Sequence, residues 1–136
     1  MLLETLRIGF DFGLLVLIWM VQLVIYPSFK YFNKNDLIGW HRVYVKRISY
    51  VVIPLMFGQT LIAMYQVFQS VSVYRIGTAL LILLVWILTF ALFVPRHNTI
   101  SKNKFDETTL SELISYNWSR TILWSMIFIW TAFTHV

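Results

Sequence analysis

Polar residues that could do chemistry are concentrated beside the strongly apolar stretches of this sequence. They are His41, Tyr44 and Arg47 before one stretch, His97 and Asn98 after the next, and Asn117, Arg120 and Thr121 at the start of the last. Imidazoles exchange protons near neutral pH, and guanidinium groups hold anionic or carbonyl oxygens. The sequence therefore predicts one polar site, in which His97, His41 and Arg120 are the catalytic candidates.

One face of the last apolar stretch changes from polar to aromatic along its length. At 100° per residue, Leu113, Asn117, Arg120, Thr121, Trp124 and Phe128 fall within roughly 60° of one direction. Such a face suits a pocket for a molecule with a polar head and a flat or apolar body. The predicted ligand-binding residues are Tyr44, Arg47, Asn98, Asn117, Thr121, Trp124 and Phe128. The alternative is that Asn117 and Thr121 only join neighbouring helices and Arg120 reaches lipid phosphate.

The residue types limit the cofactors. The chain has no cysteine, which excludes disulfides, thiolate nucleophiles, Cys-ligated zinc, iron–sulfur clusters and covalent c-type haem. His41 and His97 with Glu112 would suffice for a metal, and the two histidines alone could serve haem. Because neither His-x-x-x-His nor Glu-x-x-His spacing occurs, we assign no metal site, and the cofactor stays unknown.

The elements that must position these residues are apolar helices. Hydrophobic residues make up 59% of the 136 residues and charged residues only 12%, too few to cover a water-exposed surface. Four uncharged runs, 12–29, 48–74, 76–95 and 121–136, approach the 20 or so residues that a membrane-spanning helix needs. The expected fold is all-α, a four-transmembrane-helix bundle in one domain, residues 1–136. Its spans are about 9–28, 49–69, 75–94 and 117–135. The first run lacks a small-residue cleavage site, so we expect it to stay as a helix rather than be removed as a signal peptide.

Polar residues outside the predicted site refine this arrangement. Asp36, and Asp106 or Thr108, can open helical cytoplasmic lead-ins to helices two and four. Gln22 and Gln59 lie at membrane depth and should face the bundle. Asp11, at the outer end of helix one, is expected to be solvated.

Charge distribution predicts the orientation. Nine of the eleven Lys and Arg residues lie around two long connections, 30–47 and 96–119, leaving Arg7 and Arg75 for the opposite face. By the positive-inside rule, the long loops are cytoplasmic and both termini lie outside the inner (plasma) membrane. The expected partners are membrane lipids, a small amphiphilic ligand, and a homo-oligomer or membrane-protein partner. The positive charge adjoins apolar spans, which favours lipid headgroups over nucleic acid.

Two segments carry a resemblance to a known family. They are Val94-Pro95-Arg96-His97-Asn98-Thr99-Ile100 and Asn117-Trp118-Ser119-Arg120-Thr121. They resemble a group of small four-helix membrane proteins that includes the anthrone-oxygenase-like family, mainly over residues 94–124. The resemblance implies cofactor-free oxidation of an aromatic polyketide-type substrate, with Pro95, Asn98, Asn117, Arg120 and Thr121 as the matching positions. In this sequence His97 stands beside the asparagine, and His41 and Arg47 have no counterpart in that pattern.

The sequence thus leads to two functional hypotheses. The preferred one is a membrane protein whose cytoplasmic-side polar pocket binds a small amphiphile, such as a quinone, lipid or aromatic metabolite, with an oxidoreductase-type enzyme as its catalytic form. The alternative is a non-catalytic subunit or scaffold that associates with another membrane protein through its helix faces.

Overall fold

The computed structural model describes residues 1–135, which are 92% helical and contain no strand. This part of the chain forms four helices, numbered here in chain order. They are α1, Leu2–Tyr31; α2, Lys34–Gln69; α3, Val73–Ser101; and α4, Glu107–His135. Short connections join them at residues 32–33, 70–72 and 102–106. The all-α fold expected from composition is confirmed.

Three of these four helices are long and apolar enough to cross a membrane. Their most apolar windows have mean hydropathies of 2.2 in α1, 1.6 in α2 and 2.6 in α3. Helix α4 does not belong to this set within the described residues. It contains Glu107, Glu112 and Arg120, and many hydroxyl side chains. Length and composition therefore support three of the four expected spans.

The helices pack in a ring. Helix α1 lies between α2 and α4, and α3 also contacts both α2 and α4, so neighbours along the chain are neighbours in the bundle. Short connections favour this arrangement, because each helix turns back along the one before it. The two ends of the bundle thus differ: one receives the connections α1–α2 and α3–α4, and the other receives α2–α3.

Helix α4 runs antiparallel to α1 along most of its length. Side-chain hydrogen bonds join Thr131 to Asp11, Trp19 to Ser125, Thr121 to Gln22, and Arg120 to Tyr26. As the residue number rises in one helix, it falls in the other. Helix α4 therefore covers the same depth of the bundle as α1.

Side-chain caps begin three of the helices. Asn33 Oδ1 accepts the Asp36 N–H before α2, Ser72 Oγ accepts the Arg75 N–H before α3, and Asp106 Oδ1 accepts the Thr109 N–H before α4. Of the two expected caps for α4, Asp106 is the one used, whereas Asp36 lies in the first turn after its cap Asn33. The hydrogen bonds from Thr109 hold the pKa of Asp106 below its ordinary value of 3.8.

A buried polar cluster joins the helices at the end opposite the two histidines. Arg7 Nε lies 2.9 Å from Asp11 Oδ2, and both side chains are almost completely buried. Asp11 also accepts hydrogen bonds from Gln59 of α2 and Thr131 of α4. The expectation that Asp11 is solvated is therefore wrong: a carboxylate with a buried cation and two further donors beside it needs no water.

At mid-length the bundle buries a few polar side chains within its apolar core and exposes apolar side chains on its surface. Gln22 and Gln59 are buried and hydrogen-bonded, which confirms that they face the bundle. By contrast, Leu23, Leu80 and Phe90 each expose about 60% of their surface. Exposed apolar surface on this scale is typical of proteins that meet another apolar medium or a partner.

Candidate functional site

A cavity of about 210 Å³ lies inside the bundle, mainly between α2 and α3. Its apolar wall comes from all four helices and includes Leu17, Val21, Val52, Met56, Phe93 and Trp124. Tyr26, His97 and Arg120 lie at its polar end. A mostly apolar cavity with a few polar groups gathered at one end is typical of small-molecule sites.

Irregular helix surrounds this cavity. Helix α1 contains a π-helical turn at Val21–Ile25, and α3 contains one at Thr89–Phe93. Pro54 interrupts the hydrogen bonding of α2 between the cavity residues Val52 and Met56. Such turns widen a helix and often occur at functional sites. All three irregularities therefore lie beside the cavity.

A continuous chain of hydrogen bonds leads away from the cavity. Tyr26 Oη lies 2.9 Å from His97 Nε2, and His97 Nδ1 lies 2.8 Å from His41 Nε2. His41 Nδ1 lies 3.1 Å from Ser101 Oγ. The imidazole rings of His41 and His97 lie within 22° of parallel, with centroids 5.0 Å apart, as expected for rings that share an edge-to-edge hydrogen bond. Three helices thus contribute to one chain, with Tyr26 on α1, His41 on α2, and His97 and Ser101 on α3.

Arg120 joins this chain at Tyr26. Its Nη2 donates to the Tyr26 hydroxyl at 3.0 Å, and its Nε and Nη2 donate to Asn117 Oδ1. The guanidinium carbon also lies 3.5 Å from the centroid of the Phe93 ring. No carboxylate pairs with Arg120 among residues 1–135, although it is only 8% exposed. The polar end of the cavity therefore carries an unneutralised positive charge.

The amides and hydroxyls beside Arg120 hold one another. Asn117 Nδ2 and Thr121 Oγ1 both donate to Gln22 Oε1, at 3.0 and 3.1 Å. Gln22 Nε2 in turn donates to the Ile114 carbonyl. These contacts leave Asn117 Oδ1 to accept from the guanidinium, so they orient Arg120 rather than reach the cavity themselves.

Thr89 places a hydroxyl group beside the cavity. Its Oγ1 is buried and has no hydrogen-bond partner within the described residues. Other helical threonines, such as Thr60 and Thr99, donate to the carbonyl four residues earlier. A buried hydroxyl without a partner costs about 1–3 kcal/mol, so a ligand that hydrogen-bonds to Thr89 would recover that energy.

Most residues expected at the site come together here. His41, His97, Arg120, Asn117 and Thr121 belong to one hydrogen-bonded network, and Tyr44, Asn98 and Trp124 border the cavity. Two of the expected residues, Arg47 and Phe128, lie away from this site. Arg47 is exposed and lies beside Arg42, Lys46 and Tyr50 on the outer surface of α2. Phe128 packs against Phe12, with ring centroids 5.6 Å apart, and does not border the cavity.

Sequence reasoning missed three residues of the site: Tyr26, Thr89 and Ser101. Tyr26 lies near the end of the first uncharged run, where aromatic residues are common. Thr89 and Ser101 resemble ordinary helical hydroxyl residues. The spacing of four residues from Gln22 does not identify Tyr26, because the π-helical turn Val21–Ile25 lies between them and changes the direction in which the following side chains face.

The arrangement of carboxylates and histidines bears on the metal and haem alternatives. Residues 1–135 contain no group of three His, Cys, Asp or Glu side chains that could hold a metal ion. Glu112 pairs with Arg96 at 3.0 Å. His41 and His97 direct one nitrogen each at the other. The two rings are therefore arranged as hydrogen-bond partners.

The chain matches no protein-family model, no curated protein and no solved structure. Nothing in these comparisons bears on the resemblance to the anthrone-oxygenase-like group, which stays a prediction. Any function must therefore be argued from the cavity itself.

Proposed function

We propose that the protein is an integral membrane protein of four spans whose intramembrane cavity binds a small amphiphile. The three apolar helices support the membrane assignment, as do the large exposed apolar side chains on the surface of the bundle. Helix α4 is drawn into the same layer by its antiparallel packing along α1. Residues 34–48 and 107–116 are then the helical lead-ins outside the hydrocarbon.

The orientation follows from charge. The bundle end with connections 32–33 and 102–106 adjoins Lys30, Lys34, Lys102 and Lys104, whereas the 70–72 connection adjoins Arg75. In this proposal the lysine-rich end is cytoplasmic, both termini lie outside, and the protein resides in the plasma membrane. The polar end of the cavity then lies near the cytoplasmic surface.

The observation that carries the ligand proposal is the buried charge of Arg120. A cation in an apolar setting is costly unless an anion or strong dipole compensates it. Asn117 and Tyr26 provide neutral acceptors only. An anionic or carbonyl oxygen in the cavity would complete the compensation, so the expected ligand has such an oxygen at its head.

The rest of the cavity indicates the body of the ligand. Aliphatic side chains and the Phe93 and Trp124 rings form most of the wall, which suits a flat or chain-like apolar group. The Thr89 hydroxyl adds one hydrogen-bonding position away from the lysine-rich end. Because Val94 is 40% exposed and Asn98 is also exposed beside the cavity, the ligand can enter sideways between α2 and α3. A quinone, a fatty acid or an aromatic metabolite dissolved in the bilayer meets these requirements.

The test uses two probes with different heads, dodecanoate and decylubiquinone. Binding to the purified protein in lipid nanodiscs is measured by native mass spectrometry, first without added probe to detect any retained molecule. We expect at least one probe to bind in a one-to-one complex. Arg120→Gln should weaken this binding about tenfold or more, because a hydrogen bond to a charged group contributes about 1.5–3 kcal/mol.

The matched control is Arg47→Gln, which removes the same charge from the exposed surface of α2 and should leave binding unchanged. Arg120→Lys keeps the charge and should retain part of the affinity if folding is intact by circular dichroism. Equal binding by the wild type and both glutamine variants would contradict the proposal. So would no binding of either probe and no retained molecule, a result that would favour the subunit or scaffold alternative.

A further inference from the structure

We infer that Ser101, His41, His97 and Tyr26 form a proton path between the cavity and the water at the lysine-rich end of the bundle. The ligand is then a molecule whose head oxygen gains or loses a proton, such as a weak carboxylic acid, a phenol or an enol. This inference deepens the proposed ligand site and depends on it for the ligand class, but not for the path.

The geometry of the path is unusual because both nitrogens of both imidazoles are used. Each ring has one neighbour at Nδ1 and another at Nε2, at distances between 2.8 and 3.1 Å. A neutral imidazole has one N–H and one bare nitrogen, so it can accept a proton at one side while it releases one at the other. Two such rings in series can transfer a proton without either ring moving.

The chain can be polarised in two directions. In the first, the Tyr26 hydroxyl donates to His97 Nε2, His97 Nδ1–H donates to His41 Nε2, and His41 Nδ1–H donates to Ser101 Oγ. In the second, every hydrogen bond is reversed, from the Ser101 hydroxyl inward to the Tyr26 oxygen. The contacts between neighbouring members persist in both directions, and the reversal frees only the Tyr26 hydroxyl hydrogen.

In the second direction, the contact with Arg120 allows Tyr26 to offer its hydroxyl hydrogen to the cavity. Its Nη2 donates to the Tyr26 oxygen at 3.0 Å in either case, because a guanidinium has only donors. When His97 Nε2–H also donates to that oxygen, the Tyr26 hydroxyl hydrogen is released from the chain. Tyr26 borders the cavity, so this hydrogen can be offered to a ligand oxygen held by Arg120.

One proton can pass inward along this path in five transfers. A ligand oxygen anion takes the Tyr26 proton, and Tyr26 takes the proton of His97 Nε2. His97 takes one at Nδ1 from His41 Nε2, and His41 takes one at Nδ1 from Ser101. Ser101 takes one from water. The net change is one proton from water to the ligand, and the chain is left polarised in the first direction. The reverse sequence removes a proton.

One end of the path lies near the surface of the bundle, and the other lies beside the cavity. Ser101 is the last residue of α3, is half-buried, and accepts at its carbonyl from the exposed Arg42 side chain. The other end, Tyr26, is 3% exposed and borders the cavity. The cluster around Asp11 is different, because its members Arg7, Gln59, Gln66, Tyr74 and Thr131 are all buried. Burial of every member is what we expect of a network that only joins helices, because such a network has no need of a member near water.

The test needs no ligand. Protein with ¹⁵N-labelled histidine in lipid nanodiscs is studied by NMR, which detects coupling across the His41–His97 hydrogen bond and the exchange of its proton with water. We expect this proton to exchange through Ser101. Ser101→Ala should therefore slow exchange about tenfold while the coupling persists. Ser101→Thr, which keeps a hydroxyl, should restore the wild-type rate.

Ser119→Ala is the matched control, because the Ser119 hydroxyl donates to the Tyr116 carbonyl of its own helix and is outside the path. It should exchange like the wild type. An exchange rate that Ser101→Ala leaves unchanged, or that Ser101→Thr fails to restore, overturns the path. Absence of the His41–His97 coupling in the wild-type protein would also overturn the path. Failure of both amphiphile probes with normal exchange behaviour would instead reject the ligand site alone.

Discussion

Thr78 and Thr89 lie on the same helix and both bury their hydroxyl oxygens, yet only the Thr78 hydroxyl has a hydrogen-bond partner within the described residues. Thr78 Oγ1 donates to the Tyr74 carbonyl at 3.0 Å, whereas Thr89 Oγ1 meets no acceptor or donor within residues 1–135. Thr78 lies in regular helix, and Thr89 is the first residue of a π-helical turn beside the cavity. The difference between them makes the cavity proposal testable through stability.

Thr89→Val should stabilise the ligand-free protein by about 1 kcal/mol, because it replaces an unpaired buried hydroxyl by a methyl group of similar size. The same variant should weaken amphiphile binding severalfold. Thr78→Val should have the opposite effect on stability and none on binding. Unfolding of detergent-solubilised protein, followed by circular dichroism, measures the first effect. A loss of stability in Thr89→Val that equals the loss in Thr78→Val would argue against a ligand contact at Thr89.

The Arg7–Asp11 pair predicts a large effect of a conservative change. Asp11→Asn leaves the Arg7 guanidinium buried without a carboxylate, which should cost about 3–5 kcal/mol. Glu112→Gln breaks the Arg96–Glu112 pair, whose side chains are 21% and 40% exposed, and should cost at most about 1 kcal/mol. Chemical unfolding of the two variants under one condition gives the comparison. Similar losses would mean that Asp11 is not the buried anion that joins α1, α2 and α4.

The start of α4 should respond to acid through Asp106. Its folded-state pKa lies below the ordinary value, so the cap stabilises the helix above that ordinary value and loses its effect as pH falls through the lower, folded-state pKa. Relative to the unprotected exchange rate at the same pH, the Thr109 amide should therefore lose protection from hydrogen exchange in strong acid. Asp106→Asn keeps a good cap and should remove the pH dependence, whereas Asp106→Ala should exchange quickly at every pH. Identical profiles for the wild type and Asp106→Ala would exclude this cap.

Much of the helical layout follows from the sequence. The uncharged runs and the short polar segments between them are enough to define helices and their order, and the positions of the lysines indicate which connections share an end. The glutamines also behave as expected: Gln22 and Gln59 turn inward because an unpaired amide in an apolar medium is costly. These inferences need only local composition and the cost of unpaired polar groups.

The membership of the site was harder to infer. Arg47 and Arg120 look alike in the sequence, since each lies where a polar segment meets an apolar one. In the structure Arg120 is 8% exposed within the bundle and Arg47 is exposed outside it. Tyr26, which the sequence does not single out, joins Arg120 to His97. The direction in which a side chain faces depends on helix rotation, which composition does not specify.

The sequence by itself determined that the chain is helical and where its apolar segments lie, because an apolar medium obliges a backbone to satisfy its own hydrogen bonds. Only the tertiary structure decided which polar groups meet. A π-helical turn inserts about one extra residue and shifts the following side chains by roughly 100°. Two such turns, at Val21–Ile25 and Thr89–Phe93, precede Tyr26 and His97 and help set their facing. No local pattern announces these turns, so the contact between these two side chains had to be seen in the folded bundle.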